Sequence, residues 1–164
     1  MNTPISMETV DMVWQRMAEL SEEEATHMIQ QMEREQPELQ TYLLAVDDEF
    51  EEDEAEIIFY LGVVAWQMMK QGGRRMGKIT EAQIDKVDEL NFTFFNNLSE
   101  DEQNLEVVTM KMLEEYPEPN VLGYVINALM DDEDPEDPGI RDELVGLAFL
   151  HLKTAVDAMI ASQK

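Results

Sequence analysis

The sequence contains no cysteine, which excludes disulfides, thiolate metal sites and cysteine nucleophiles. It is also poor in positive charge: 11 Lys and Arg stand against 37 Asp and Glu, for a net charge of −26. A surface so far from neutral repels nucleic acid and anionic lipid and attracts basic surfaces. Direct nucleic-acid binding and membrane association are therefore not expected. Histidine occurs only at His27 and His151, and there is no Gly-x-Ser-x-Gly nucleophile elbow. The opening Met1-Asn2-Thr3-Pro4 lacks a basic stretch followed by an apolar core, so no signal peptide is read there. The longest apolar run, Ile57 to Met69, is broken only by Gly62 and Gln67. As a helix it covers roughly 20 Å, short of a bilayer core of roughly 30 Å. A cytoplasmic location is expected.

Hydrophobic residues still make up 44% of the chain, enough for a real core despite the charge. Their spacing is helical throughout. Ser6 reads as the N-cap of a first helix over 7–19, with Val10, Val13, Trp14 and Met17 on one face. Leu20-Ser21-Glu22-Glu23-Glu24 is a capping box with a staple residue before it, opening a helix that buries Met28 and Met32 and runs to Gln36. Pro37 stops that helix and starts the next, which places Leu39, Tyr42, Leu43 and Val46 inward. Eight of the ten residues from Asp47 to Glu56 are acidic. They lead into a helix over 54–71 that is apolar on nearly every face and should sit centrally. Gly72-Gly73 ends it.

The second half repeats this plan. A helix over 80–97 is expected to bury Ile84, Val87, Phe94 and Leu98. Ser99 to Glu102 reproduces the capping box 78 residues after Ser21. The following helix buries Leu105, Val108, Met112 and Tyr116 and stops at Pro117. Leu122, Val125, Ile126 and Leu129 then match the spacing of the third helix. Asp131-Asp132-Glu133 repeats Asp47-Asp48-Glu49, and Gly146 repeats Gly62, both at a shift of 84. Asp137 and Pro138 read as the cap and first residue of a last apolar helix over 138–162. The expected fold is all-α: a compact bundle of about eight helices in two similar four-helix units, 1–76 and 77–164. These are related by pseudo-two-fold duplication and co-fold as one domain around the two long apolar helices. Lys70 to Lys78, with three glycines and four cations, reads as a flexible hinge whose basic residues lie back on acidic helix surfaces.

Several stretches suggest chemistry and fall short of it. Glu24 and His27 are spaced to reach one metal ion from one helix face, but no second copy exists and Glu24 already serves the capping box. No metal or cofactor is assigned. His151, in the last apolar helix, is read as a core residue hydrogen-bonded to a neighbour. The run from Asp47 lacks the glycine and glutamate of a calcium loop at its sixth and twelfth positions, and so does the run from Asp131. Gly72 to Lys78 has P-loop glycine spacing, but Ile79 replaces the hydroxyl residue and no strand precedes it. Thirteen methionines suit a repacking groove; most, including Met12, Met17, Met28, Met32, Met68 and Met112, are assigned to buried faces. Phe92, Phe94, Phe95 and Tyr116 would serve a homodimer as readily as a core.

The function expected is therefore a non-enzymatic interaction protein that binds a basic protein partner, as an adaptor, a toxin-neutralising protein or a small chaperone. Its contact residues would be Asp47, Asp48, Glu49, Glu51, Glu52 and Asp53, with Asp131, Asp132, Glu133 and Asp134. The alternatives are a DNA mimic that blocks a nucleic-acid-binding protein, a metal-dependent enzyme using Glu24 and His27 or His151, and plain adaptation to high salt.

Overall fold

A computed structural model describes residues 3–97, 110–130 and 139–163. Every regular element among them is helical, apart from one isolated antiparallel bridge between Met76 and Gln163. The helices are α1 (Met7–Ala18), α2 (Glu22–Glu35), α3 (Pro37–Leu44), α4 (Glu52–Gln71), α5 (Glu81–Asn96), α6 (Pro119–Met130) and α7 (Val145–Ala161), the last led in by a 3₁₀ turn, Asp142–Leu144. Residues 110–113 are also helical.

The local signals act where the sequence puts them. Ser6 Oγ accepts from Thr9 N at 3.1 Å, Ser21 and Glu24 exchange both bonds of a capping box, and Thr80 with Gln83 forms another. Each satisfies amide donors that a helix start leaves unpaired. Pro37 occupies the first turn of α3.

α4 and α7 form the centre. Every residue from Leu61 to Met69 is buried, and α7 buries Ala148, Phe149, Leu150, Leu152, Thr154, Ala155, Val156, Ala158 and Met159. The two pack on each other. α1, α3 and α6 lie against α4, while α3, α5 and α6 lie against α7, and α2 docks on α3. The stretch Asp142–Ala161, with mean hydropathy 1.6, is long and apolar enough to cross a membrane by length and composition alone. A search for unbroken apolar runs passes over it, because His151, Lys153, Thr154 and Asp157 interrupt it. Here 61% of its most apolar window is buried in the bundle.

Four expectations are corrected. Trp14 is 46% exposed and Met12 faces out with it, so α1 buries only Val10, Val13 and Met17. α5 buries Ile84 and Asn91, with Val87 and Phe95 half-buried, and leaves Phe94 exposed. Its inward stripe continues through a polar residue because that residue finds partners on α7. The last helix does not start at Pro138: Gly139 takes φ +68° and the chain turns before the 3₁₀ lead-in. Asp137, Pro138, Leu98, Leu105, Val108 and the second capping box lie outside the described residues.

The fourth correction concerns the hinge at residues 70–78, in which Lys70, Arg74 and Gly77 are held by partners remote in the chain. Arg74 donates through Nε (3.2 Å) and Nη2 (3.0 Å) to Glu118 Oε1, a carboxylate only 3% exposed, and also to the carbonyl of Thr3. Ile5 N donates to the other oxygen of Glu118 at 2.9 Å, and Asn120 returns a bond to the Ile5 carbonyl. Gly77 N donates to the Ser162 carbonyl, while Gln36 clasps the Gly77 carbonyl and Ile79 N, each at 2.9 Å. Lys70 does lie back on an acidic surface, pairing with Glu35 at 3.0 Å over the Trp66 ring. A buried carboxylate is tolerated only when its lone pairs are taken up in this way.

Gly62 and Gly146, matched in the sequence, differ in surroundings. A Cβ on Gly62 would stand 2.5 Å from Leu43 Cδ2, in the buried α3–α4 contact, whereas Gly146 has nothing within 4 Å. Gly62→Ala is expected to cost about 1–3 kcal/mol through overpacking. Gly146→Ala is expected to be neutral or to stabilise by about 0.5 kcal/mol through helix propensity. Urea unfolding of the two variants checks this, and equal effects would contradict the packing described.

Candidate binding cleft

The acidic run divides into two environments. Asp47, Asp48, Glu49, Glu51, Glu52 and Asp53 are exposed, while Phe50 and Glu54 turn inward. Asp47 Oδ1 accepts from Glu49 N at 2.9 Å, which tightens the turn before α4. Glu51 caps α4, and Glu54 Oε1 accepts from Glu51 N at 2.8 Å. Carboxylates in the first turn complement the positive end of the helix. Glu54, 3% exposed, also takes Arg141 Nη2 at 2.8 Å, Arg141 Nε at 3.1 Å and Arg141 N at 2.9 Å, while Nη2 bonds the Glu49 carbonyl. These bonds, Arg141 first among them, outweigh burial and hold the Glu54 carboxyl at about 2. Sequence reasoning placed Glu54 in the solvated run. The one signal that could have separated it is its position at the third residue of α4, where a side chain folds back on the cap. Asp131, Asp132, Glu133 and Asp134 lie outside the described residues.

Glu24 and His27 stand one turn apart on the exposed side of α2, with Glu24 Oε1 accepting from Ser21 N at 3.3 Å. They border an open surface depression, not an enclosed site. Among the described residues no group of three or more His, Asp or Glu side chains is placed to hold a metal ion.

The chemistry that sequence reasoning missed lies between α3, α5 and α7. There a cleft of about 90 Å³ opens beside the acidic run, with Asp47 on its edge. A water needs roughly 10–15 Å³ of such space, so the cleft has room for several waters or one side-chain end. The Tyr42 and His151 rings stack in its wall, centroids 4.2 Å apart and 17° from parallel. Tyr42 Oη donates to Asp88 Oδ1 at 3.0 Å. Burial, and then the Asp88 carboxylate, push the phenol well above its ordinary range, so it stays a neutral donor. His151, expected as a core residue hydrogen-bonded to a neighbour, is half-buried in the cleft wall. Its Nε2 is buried without a hydrogen-bond partner among the described residues. Burial pushes its pKa below the ordinary value. Phe50, Phe92, Leu147 and Leu150 supply apolar wall, and Phe92 is 58% exposed at the rim.

A polar network braces this cleft from behind. Asn91 Nδ2 donates to Thr154 Oγ1 and Asp157 Oδ2, both at 3.0 Å. Lys153 Nζ bonds Asn91 Oδ1 and Asp157 Oδ2, both at 2.7 Å, and Tyr116 Oη donates to Asp157. Every partner is local, so Lys153 is used up in the wall, and among the described residues no Lys or Arg lines the cleft. Asn91 at an inward position of α5 and Thr154 at one of α7 are polar interruptions of an apolar stripe, and that is the sequence signal that could have found the site.

Among known proteins, no family model, no curated protein and no solved structure matches this chain.

Two pH effects follow. Glu54 is depressed, so the stability it contributes is complete above the ordinary glutamate value of about 4.3 and is lost as pH falls toward about 2. Arg141→Met should raise the pH of acid unfolding followed by circular dichroism; an unchanged midpoint would mean the pair does not hold the fold. His151 is depressed as well, so its contribution is present above its unfolded value of about 6.5 and declines as pH falls below it. Between pH 7.5 and 5, His151→Gln should flatten the pH dependence of unfolding free energy relative to the native chain. Parallel curves would contradict the buried neutral ring.

Proposed function

We propose that the chain is a non-enzymatic interaction protein of the cytoplasm whose acidic surface binds a basic protein partner, in the manner of an adaptor, a toxin-neutralising protein or a small chaperone. The observation that carries this reading is the spending of charge. The four ion pairs formed among the described residues take Glu35, Glu54, Glu118 and Asp157. None takes any of the six exposed carboxylates from Asp47 to Asp53, which stand beside a cleft with apolar walls. Carboxylates next to exposed apolar surface suit a partner that brings both charge and side-chain area.

The same reading takes residues 1–76 and 77–164 as two similar four-helix units related by internal duplication. Supporting it are the central positions of α4 and α7; two ion pairs also join the halves. Arg141 of the second unit reaches Glu54 at the start of α4, and Arg74 of the first reaches Glu118 just before α6. The different surroundings of Gly62 and Gly146 mark divergence between the copies.

Affinity capture from the source lysate at low and moderate salt, with mass spectrometry, tests the proposal. One stoichiometric basic protein should survive moderate salt and be lost when Asp47, Asp48, Glu49, Glu52 and Asp53 are changed to Asn or Gln. A diffuse set of basic proteins that all vanish with salt would contradict it. If duplex DNA displaces the captured partner, the reading becomes that of a DNA mimic.

A further inference from the structure

The cleft between α3, α5 and α7 has four properties seldom found together on a surface this acidic. It is concave, its walls are largely apolar and aromatic, its charged lining residues are both aspartates, Asp47 and Asp88, and the buried Nε2 of His151, one of its lining residues, has no partner among the described residues. The bond given to Asp88 is from the neutral phenol of Tyr42, so its negative charge is not offset there. Among the described residues, lysine and arginine are missing from the lining.

The chemistry that completes such a cleft is a cation with a flat, weakly hydrated face and several fixed donors. A guanidinium meets all of these requirements. It slides along aromatic rings and it forks onto carboxylate oxygens. An ammonium supplies the charge but prefers its own hydration, and an apolar side chain leaves the Asp88 charge uncompensated. A second copy of this chain is disfavoured, since it brings another net charge of −26.

We infer that the cleft takes the side chain of one arginine of the basic partner, with its guanidinium between the Phe92 rim and the Asp88 carboxylate. This rests on the basic-partner reading above and supplies its point of specificity. The exposed carboxylates from Asp47 to Asp53 attract the partner at long range, and the cleft selects the residue that docks.

The test is an NMR titration of the full chain with N-acetyl-arginine amide, N-acetyl-lysine amide and N-acetyl-citrulline amide. The arginine compound should give saturable shifts at the Asn91 side-chain amide and the Leu147 and Leu150 methyls, with lysine weaker and uncharged citrulline weakest. Asp88→Asn, which leaves Tyr42 an acceptor, should weaken arginine binding about tenfold. Phe92→Ala, at an exposed position, should weaken it too, while Glu33→Gln on α2 should not. Equal binding of citrulline or lysine would overturn the assignment. So would shifts spread over the acidic surface without preference for the cleft, or shifts that appear with protein concentration alone. Capture of the partner undiminished by Asp88→Asn retires the cleft and leaves the basic-partner reading standing. Arginine in the cleft with no partner captured does the reverse.

Discussion

The contact between α4 and α7 sets what the other helices can do. Each of the two is apolar on almost every face, so neither can lie on a surface, and each must be covered by several neighbours at once. α1, α3, α5 and α6 do the covering. α1, α3 and α6 are too short to be stable alone in water and persist because packing supplies what propensity does not. The high charge sharpens the constraint. With a net charge of −26, self-repulsion favours expansion, and the buried apolar pair must overcome it.

The few cations are placed where they do most for cohesion. Arg141 and Arg74 each reach across from one half of the chain to a nearly buried glutamate at the start of a helix in the other. Lys153 closes the network of Asn91 and Asp157. Exposed ion pairs contribute little to stability. These differ in that one partner is enclosed and would be left uncompensated if the other were removed. The exposed carboxylates from Asp47 to Asp53 take part in none of the ion pairs among the described residues.

Much of the fold could be read from the chain, because short-range rules decide it. The Ser6 cap, the Ser21–Glu24 box, the Pro37 start and the buried spacing of Leu122, Val125, Ile126 and Leu129 all depend on residues a turn apart. The central burial of α4 followed from its composition. What escaped depends on distance in sequence. Trp14 sits at an inward position by spacing, yet three smaller or more flexible residues already fill the α1 face. Glu54 looks like its solvated neighbours until Arg141, 87 residues on, is brought beside it. The cleft draws Tyr42, Asp88 and His151 from three helices, and no motif joins them. Lys70 to Lys78 reads as a flexible hinge with its cations on acidic surfaces because glycine and charge suggest mobility. Its fixation rests on Glu118, Ser162 and Gln36, all remote in the chain.

The central claim is that α4 and α7 form one cooperative core shared by both halves. Native-state hydrogen exchange across low denaturant tests it most directly. The account predicts that the slowest amides of Leu61–Met69 and of Ala148–Met159 exchange through a single opening, with the same free energy and the same denaturant dependence. Two distinct openings, one half of the chain exchanging while the other stays protected, would contradict it.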